Sequence, residues 1–246
     1  MPKAPRAVVT GGGRGIGAAI ARKLKKSGYQ VILMGRSRNL IHDLADEIRA
    51  HAVRIDVGDP ASVEAAFMAA GPVDLLVNNA AIVRAAPVTQ TDVRVWEEHL
   101  KVNLTGAFLC SLKVLPGMIS RQRGQIINIA SSPARRGYAN LAAYCASKEG
   151  LVGLTRSLAA EVDGKGVSVT ALCPGFVNSP LSADIISGIS ERLDIDEEDV
   201  LSGLLDRAGQ GSLLEPGAIA DAVYAIAKAD GLNGAILDLD DKRIAG

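Results

Sequence analysis

A β-branched run at 6–10 ends in Thr10 and breaks at once into Gly11-Gly12-Gly13-Arg14-Gly15-Ile16-Gly17, after which 18–26 reads as an amphipathic helix. Few chain paths satisfy that order. A strand that turns sharply into a helix needs residues tolerant of positive φ and of close backbone approach, and Gly11, Gly15 and Gly17 supply the turn, the room for a phosphate and the tight helix packing respectively. The unsatisfied amides at such a helix start attract a pyrophosphate. Three glycines alone would say little; the strand before and the helix after give them the context a dinucleotide-binding turn requires.

The same alternation continues along the chain. Short strand-like runs fall at 6–10, 30–34, 52–56, 73–77, 125–130, 167–173 and 235–239, and helical segments lie near 15–27, 39–50, 60–70, 92–121, 142–163 and 216–229. Strands joined by crossover helices imply a parallel sheet covered on both faces, so the expected class is α/β: a doubly wound, Rossmann-like sheet of about seven strands. Asp59-Pro60 and Glu215-Pro216 each open a helix, and Gly28 closes one. No repeat or low-complexity linker interrupts residues 1–246, which are expected to form one domain. The stretch 176–215 is too long for an ordinary strand-to-helix connection and follows a strand's carboxyl end, where it is expected to act as a substrate lid; a surface excursion away from ligand is the other reading.

Composition narrows the function. Lysine plus arginine equals aspartate plus glutamate at 27 each, which gives no support to a nucleic-acid partner. No apolar run is expected to span a bilayer, and the opening Met1-Pro2-Lys3-Ala4-Pro5-Arg6 leads straight into a strand with nothing to mark export. Cys110, Cys145 and Cys173 form no metal-ligand spacing and read as buried thiols in a reducing cytoplasm; Cys145, beside Tyr144, has an alternative reading as a reactive thiol. The acidic run Asp194–Asp199 lacks a calcium loop's glycine and reads as a solvated helix face, and no metal site is expected.

Residues that carry chemistry lie in the second half. Tyr144 and Lys148 are one helical turn apart, so they share a face, and Ser131 precedes the tyrosine by thirteen residues. A nearby ammonium is expected to lower the phenol's pKa and make Tyr144 a usable acid or base, while Ser131 donates to the same substrate oxygen. Where a NAD-binding fold ordinarily carries an acidic residue for the ribose hydroxyls, this chain has Gly35-Arg36. With Arg36 and Arg14 available for a 2′-phosphate, NADP(H) is favoured over NAD(H).

These residues resemble the short-chain dehydrogenase/reductase (SDR) family over essentially the whole chain. Thr10 through Gly17 is similar to its TGxxxGIG turn, Asp56-Val57 to the acidic-apolar pair that borders adenine, Asn78-Asn79-Ala80-Ala81 to NNAG with a final Ala for Gly, and Tyr144 through Lys148 to YxxxK. Asn128 through Ser131 resembles the strand that delivers the catalytic serine. Pro174-Gly175-Phe176-Val177-Asn178-Ser179 resembles the PGxxxT segment at the nicotinamide, with Ser for Thr. The family's D-G-G turn is replaced here by Asp240-Asp241-Lys242, and Asp238, Asp240 and Asp241 read as solvated carboxylates.

The resemblance implies a catalytic set of Ser131, Tyr144, Lys148 and Asn103, with Asn103 anchoring a water that links Lys148 to solvent and Lys148 holding the nicotinamide ribose. It implies a cofactor surface of Gly11, Arg14, Gly15, Ile16, Gly17, Arg36, Asp56, Val57, Asn79, Ala80, Tyr144, Lys148, Pro174, Gly175, Val177 and Ser179. It further implies a homo-oligomer, dimer or tetramer, paired through the helices near 92–121 and 142–163. The expected activity is NADP(H)-dependent interconversion of a carbonyl and a secondary alcohol, with a loose likeness to reductases of 3-oxoacyl thioesters; Arg135 and Arg136 read as surface arginines, with contact to a carboxylate or to the phosphate of a carrier-linked substrate as the other reading. The alternatives are an NAD-preferring dehydrogenase of a small hydroxy acid, sugar or cyclic alcohol, and a non-catalytic dinucleotide sensor.

Overall fold

The computed structural model describes residues 4–240 and 244–245; Met1, Pro2 and Lys3, and the substituted turn residues Asp241 and Lys242, lie outside the described residues. Strands β1 (Arg6–Thr10), β2 (Gln30–Gly35), β3 (His51–Arg54), β4 (Leu75–Asn78), β5 (Gly124–Ile129), β6 (Val167–Pro174) and β7 (Ile236–Leu239) are parallel, and the short β8 (Ile244–Ala245) pairs antiparallel with β7. The strand order is β3-β2-β1-β4-β5-β6-β7-β8. Its direction reverses between β1 and β4, and the crevice outside the carboxyl ends of strands at such a switch point is where ligands bind.

Alternation along the strands sends side chains to two separate cores. Ala7, Val9, Val31, Leu33, Leu75 and Val77 pack against α1 (Gly15–Lys26), α2 (Arg38–Ile48) and α10 (Pro216–Lys228), through Ile20, Leu24, Ile41, Leu44, Ile219 and Val223. Val8, Ile32, Leu76, Ile126 and Val169 face the other way, onto α3 (Pro60–Ala70), α5 (Gly106–Ser120) and α7 (Ala142–Glu161). Each such aliphatic side chain taken out of water contributes about 1.5–3 kcal/mol. The sheet is therefore covered on both faces, as the double hydrophobic runs require.

The long helix expected at 92–121 is divided. It runs as α4 (Val93–His99), a π-helical stretch Leu100–Thr105, and α5. The extra residue in a π turn rephases the faces on either side of it, and it carries Asn103 inward. This segment also corrects the expectation that nothing is of membrane-spanning length: Val93–Ser120 reaches a mean hydropathy of 1.4 over an 18-residue window. Its apolarity has a local use, since Val102, Cys110, Val114 and Met118 are buried against the sheet and α3.

Between β6 and α10 the chain forms α8 (Pro180–Leu193) and α9 (Glu197–Ala208). The Ser179 hydroxyl caps α8, accepting from Ser182 N at 3.4 Å, with Pro180 at the first helical position. Glu197, Glu198 and Asp199 are exposed in the first turn of α9, where their charge meets the positive end of the helix dipole. A third apolar cluster joins Ile185, Ile186, Ile189 and Val200 to Phe176, Tyr138, Leu141 and Tyr144, so these two helices pack directly on the edge that carries Tyr144.

Candidate active site

The end of β1 is tied to the end of β4. Thr10 Oγ1 accepts from the amides of Asn79 (3.0 Å) and Ala80 (3.1 Å), and the Asn79 side-chain amide donates back to the carbonyls of Thr10 (3.0 Å) and Gly11 (3.3 Å). Gly11 and Gly15 have φ of +65° and +53°, the left-handed region that side chains disfavour. A Cβ at Gly17 would lie 2.2 Å from the Gly11 carbonyl oxygen. The turn is thus pressed against its own helix and leaves no room for side chains on that side. The first intrahelical bond of α1 runs from Ala18 N to Arg14 O at 3.2 Å, and no side chain caps the helix. The amides of Gly15, Ile16 and Gly17 precede that bond and are the donors a pyrophosphate needs.

These residues form one end of a cavity of about 450 Å³. Every residue expected on the cofactor surface, from Gly11, Arg14, Gly15, Ile16 and Gly17 through Arg36, Asp56, Val57, Asn79 and Ala80 to Tyr144, Lys148, Pro174, Gly175, Val177 and Ser179, lines it. Arg14 and Arg36 are exposed at the β1 and β2 edges, with Ser37 beside them and no carboxylate at 35–37. Asp56 is held in its turn by the amide of Gly58, which donates to Oδ1 at 2.9 Å. Glycine cradle and uncapped helix start together fit a nicotinamide dinucleotide.

At the other end β5 delivers Ser131 and α7 delivers Tyr144 and Lys148, all three buried. Lys148 Nζ donates to the Ile129 carbonyl at 2.7 Å and lies 5.9 Å from the centre of the Tyr144 ring. Ser131 lines the cavity at the same end as the Tyr144 phenol. The expectation that a neighbouring ammonium lowers the phenol's pKa is corrected here. Burial pushes Tyr144 up to about 12, against a smaller opposing effect of Ser131, and the same burial pushes Lys148 down to about 8. In the protein by itself the phenol holds its proton at neutral pH, the form that a proton donor to a reduced carbonyl requires.

Asn103 is placed differently from the other three. It does not line the cavity; its Oδ1 accepts from Ile82 N at 2.8 Å, and its Nδ2 donates to Ile82 O at 3.0 Å and to Ser147 Oγ at 2.9 Å. That amide couples the segment after β4 to the residue just before Lys148, which makes Asn103 a positioning residue. A second buried chain, from Asn78 through Asn128 (2.9 Å) to Thr155 (2.9 Å), ties β4 and β5 to α7.

Arg135 and Arg136 are committed elsewhere. Arg135 pairs with Asp238 at 2.7 Å, and Arg136 donates to the Ala208 carbonyl at 2.6 Å. Neither lines the cavity, which removes them as carboxylate or phosphate contacts inside it. The same pair accounts for Asp238, expected as a solvated carboxylate. Leu141 and Cys145 also line the cavity and were not singled out for that role by the sequence, and Phe176, Leu181, Ser182 and Ile185 line it from the stretch 176–215 expected as a lid. The apolar spacing of 181, 185 and 189 on a helix after a strand end was the available signal. Cys145 is half-buried, and burial raises its thiol's pKa, away from thiolate reactivity.

A dinucleotide cradle that opens into the same cavity as a buried hydroxyl, phenol and ammonium defines a nicotinamide-dependent oxidoreductase of carbonyls and alcohols. The sequence profile of the short chain dehydrogenase family matches residues 5–189, and the chain belongs to that family. It is 37% identical over 195 residues, 75% of this chain and 79% of the other, to the 3-oxoacyl acyl-carrier-protein reductase FabG of Aquifex aeolicus. It is 38% identical to a 2-dehydro-3-deoxy-L-rhamnonate dehydrogenase (NAD+) of Sphingomonas, over 71% of this chain and 73% of that one. The fold superposes on a variant actinorhodin polyketide ketoreductase crystallised with NADPH at a TM-score of 0.88, with 31% identity and 96% of each chain covered.

Proposed function

We propose that this protein is an NADP(H)-dependent reductase of a 3-oxoacyl thioester or a related ketone, running in the reverse direction as an alcohol dehydrogenase. The observation that carries the reading is the convergence of Ser131, Tyr144 and Lys148 on the cavity that the glycine turn opens, with the Lys148 ammonium 5.9 Å from the centre of the phenol ring. The nicotinamide, when bound, supplies the hydride to the carbonyl carbon. Tyr144 gives its proton to the carbonyl oxygen, and Ser131 donates a hydrogen bond to that oxygen as charge develops on it. Lys148, which donates one N–H to the Ile129 carbonyl, turns its remaining N–H groups to the nicotinamide ribose and stabilises the phenolate left behind. Asn103 holds Ser147, and with it the helix turn that presents Lys148.

Arg14 and Arg36 hold the adenosine phosphate, a preference in keeping with the NADPH in the crystallised ketoreductase. The pair α8–α9 is the wall that covers the substrate, within a single folding unit. The active form is a homo-oligomer, dimer or tetramer, paired through the α4–α5 and α7 helices, where Trp96, Phe108 and Leu112 are exposed. Three unpaired thiols, Cys110, Cys145 and Cys173, suit a reducing cytoplasm. The test is NADPH and NADH oxidation over a panel of 3-oxoacyl thioesters, cyclic ketones and oxo acids. Faster turnover of a 3-oxoacyl thioester with NADPH supports the reading; preference for NADH, or turnover confined to oxo acids, overturns it.

A further inference from the structure

The substrate end of the cavity has a chemistry that the proposed reaction does not itself demand. Around Tyr144 the wall is built from Leu141, Cys145, Phe176, Leu181 and Ile185. These side chains belong to the apolar cluster that also buries the Tyr144 ring. The cavity's other charged side chains, Arg14, Arg36 and Asp56, lie at the adenosine end, which leaves Lys148 as the one cation near the reacting oxygen among the described lining residues. Lys148 is 3% exposed and already donates to the Ile129 carbonyl.

Three arginines of the neighbouring segments are engaged with other partners. Arg135 is paired with Asp238, Arg136 donates to the Ala208 carbonyl, and Arg207 donates to the Gly137 carbonyl at 3.2 Å while its guanidinium lies 5.1 Å from the Tyr138 ring centre. A substrate carboxylate beside the reacting carbonyl would lose its water and, among the described residues, meet no cation beyond Lys148, which already donates to the Ile129 carbonyl, and burying a charge without full compensation is strongly disfavoured.

We infer that this site selects ketones whose neighbouring substituents are uncharged and rejects substrates with an ionised carboxylate within a few bonds of the carbonyl, so that oxo acids, hydroxy acids and sugar acids are excluded. The inference rests on the reading of the cavity as a carbonyl reductase site, and it names the substrate class. Leu181, in the first turn of α8, is a specificity-determining residue, because it is half-buried on the wall where a longer side chain has space to adjust.

The experiment compares a neutral ketone with the oxo acid made by replacing its terminal methyl group with carboxylate, in the wild-type protein and in Leu181→Arg. Dissociation constants are measured by calorimetry on protein saturated with tetrahydro-NADP, whose nicotinamide ring is neutral and transfers no hydride, alongside kcat/KM with NADPH. The wild type should bind the neutral ketone at least about a hundredfold more tightly than the oxo acid. Leu181→Arg should narrow that ratio by about tenfold or more, by tightening the acid and weakening the ketone. Equal wild-type affinities for the pair, undetectable ones included, overturn the inference, and so does a folded Leu181→Arg protein with an unchanged ratio. The wild-type comparison stands alone if the variant does not fold. Selective binding of the ketone without turnover sinks the reductase reading and leaves the selectivity intact, so the two failures are distinct.

Discussion

Lys148 is costly to the protein that contains it, and the cost can be worked from its surroundings. An ammonium that ordinarily titrates at 10.5 is pushed down to about 8 by burial. At about 1.4 kcal/mol per pH unit, holding the charge inside at neutral pH disfavours the folded state by about 3 kcal/mol. Replacing it in Lys148→Met, a side chain of similar length, removes that cost but strips the Ile129 carbonyl of its 2.7 Å donor, a loss of about 1–2 kcal/mol. The variant should therefore be more stable than the wild type by about 1–2 kcal/mol at pH 7, which raises the melting temperature by about 2–8 °C in a chain of this size, while reductase activity is lost.

The sign of the pH dependence follows from a depressed folded-state value. Below pH 8 both folded and unfolded lysine are charged and the full cost is present. Between about 8 and 10.5 the folded lysine is neutral while the unfolded one still binds its proton, so the wild type gains on the variant as pH rises. Thiols and phenols whose values burial raises, such as Cys173 at about 11 and Tyr144 at about 12, titrate above the range measured and contribute little to the difference. Denaturant titrations of the two proteins without nucleotide, from pH 7 to 10, measure that difference. A variant less stable than the wild type at pH 7, or a gap that stays constant across the range, would refute the reasoning.

Two further substitutions probe the frame around the site. Gly17→Ala places a methyl group 2.2 Å from the Gly11 carbonyl oxygen and 2.7 Å from Asn79 Nδ2. Overpacking of that kind costs about 1–3 kcal/mol, and NADPH affinity measured by calorimetry should fall by about tenfold or more; an unchanged dissociation constant contradicts the cradle geometry. Gln210 is buried, accepts from Phe176 N at 2.9 Å and donates to the carbonyls of Phe176 (2.7 Å) and Ser212 (2.6 Å). Gln210→Ala should lower unfolding free energy by about 2–4 kcal/mol and raise KM for the ketone more than it changes kcat, because Phe176 forms part of the substrate wall; a denaturant midpoint equal to the wild type's would show the clamp to be idle.

Much of this was legible in the chain because the signals were local. The runs at 6–10 and 30–34 alternate around fixed turn residues, and Thr10 to Gly17 carries the whole strand-turn-helix instruction within one short segment. What escaped reading depends on distant partners. The helix at 92–121 is interrupted at Leu100–Thr105, where Asn103 reaches Ile82 and Ser147 and where a Cβ on Gly106 would lie 2.8 Å from Val57 Cγ2. Arg135 meets an aspartate 103 residues away, so its spacing from Ser131 gave no hint that it was occupied. The direction of the Tyr144 shift was misjudged because the proximity of Lys148 is written in the sequence, whereas burial against α8 and Phe176 is not. The strand expected at 52–56 stops at Arg54 because the backbone then turns, with the Asp56 side chain accepting from Gly58 N.

The central claim is that Tyr144 passes the proton while the rest of the cavity binds. Its most direct test is the rate of NADPH oxidation by wild type and Tyr144→Phe with the same neutral ketone, with NADPH affinity measured in parallel. The substitution should slow turnover by about 10²–10⁴-fold and leave NADPH affinity within about threefold. A Tyr144→Phe protein that reduces the ketone at the wild-type rate would contradict the account.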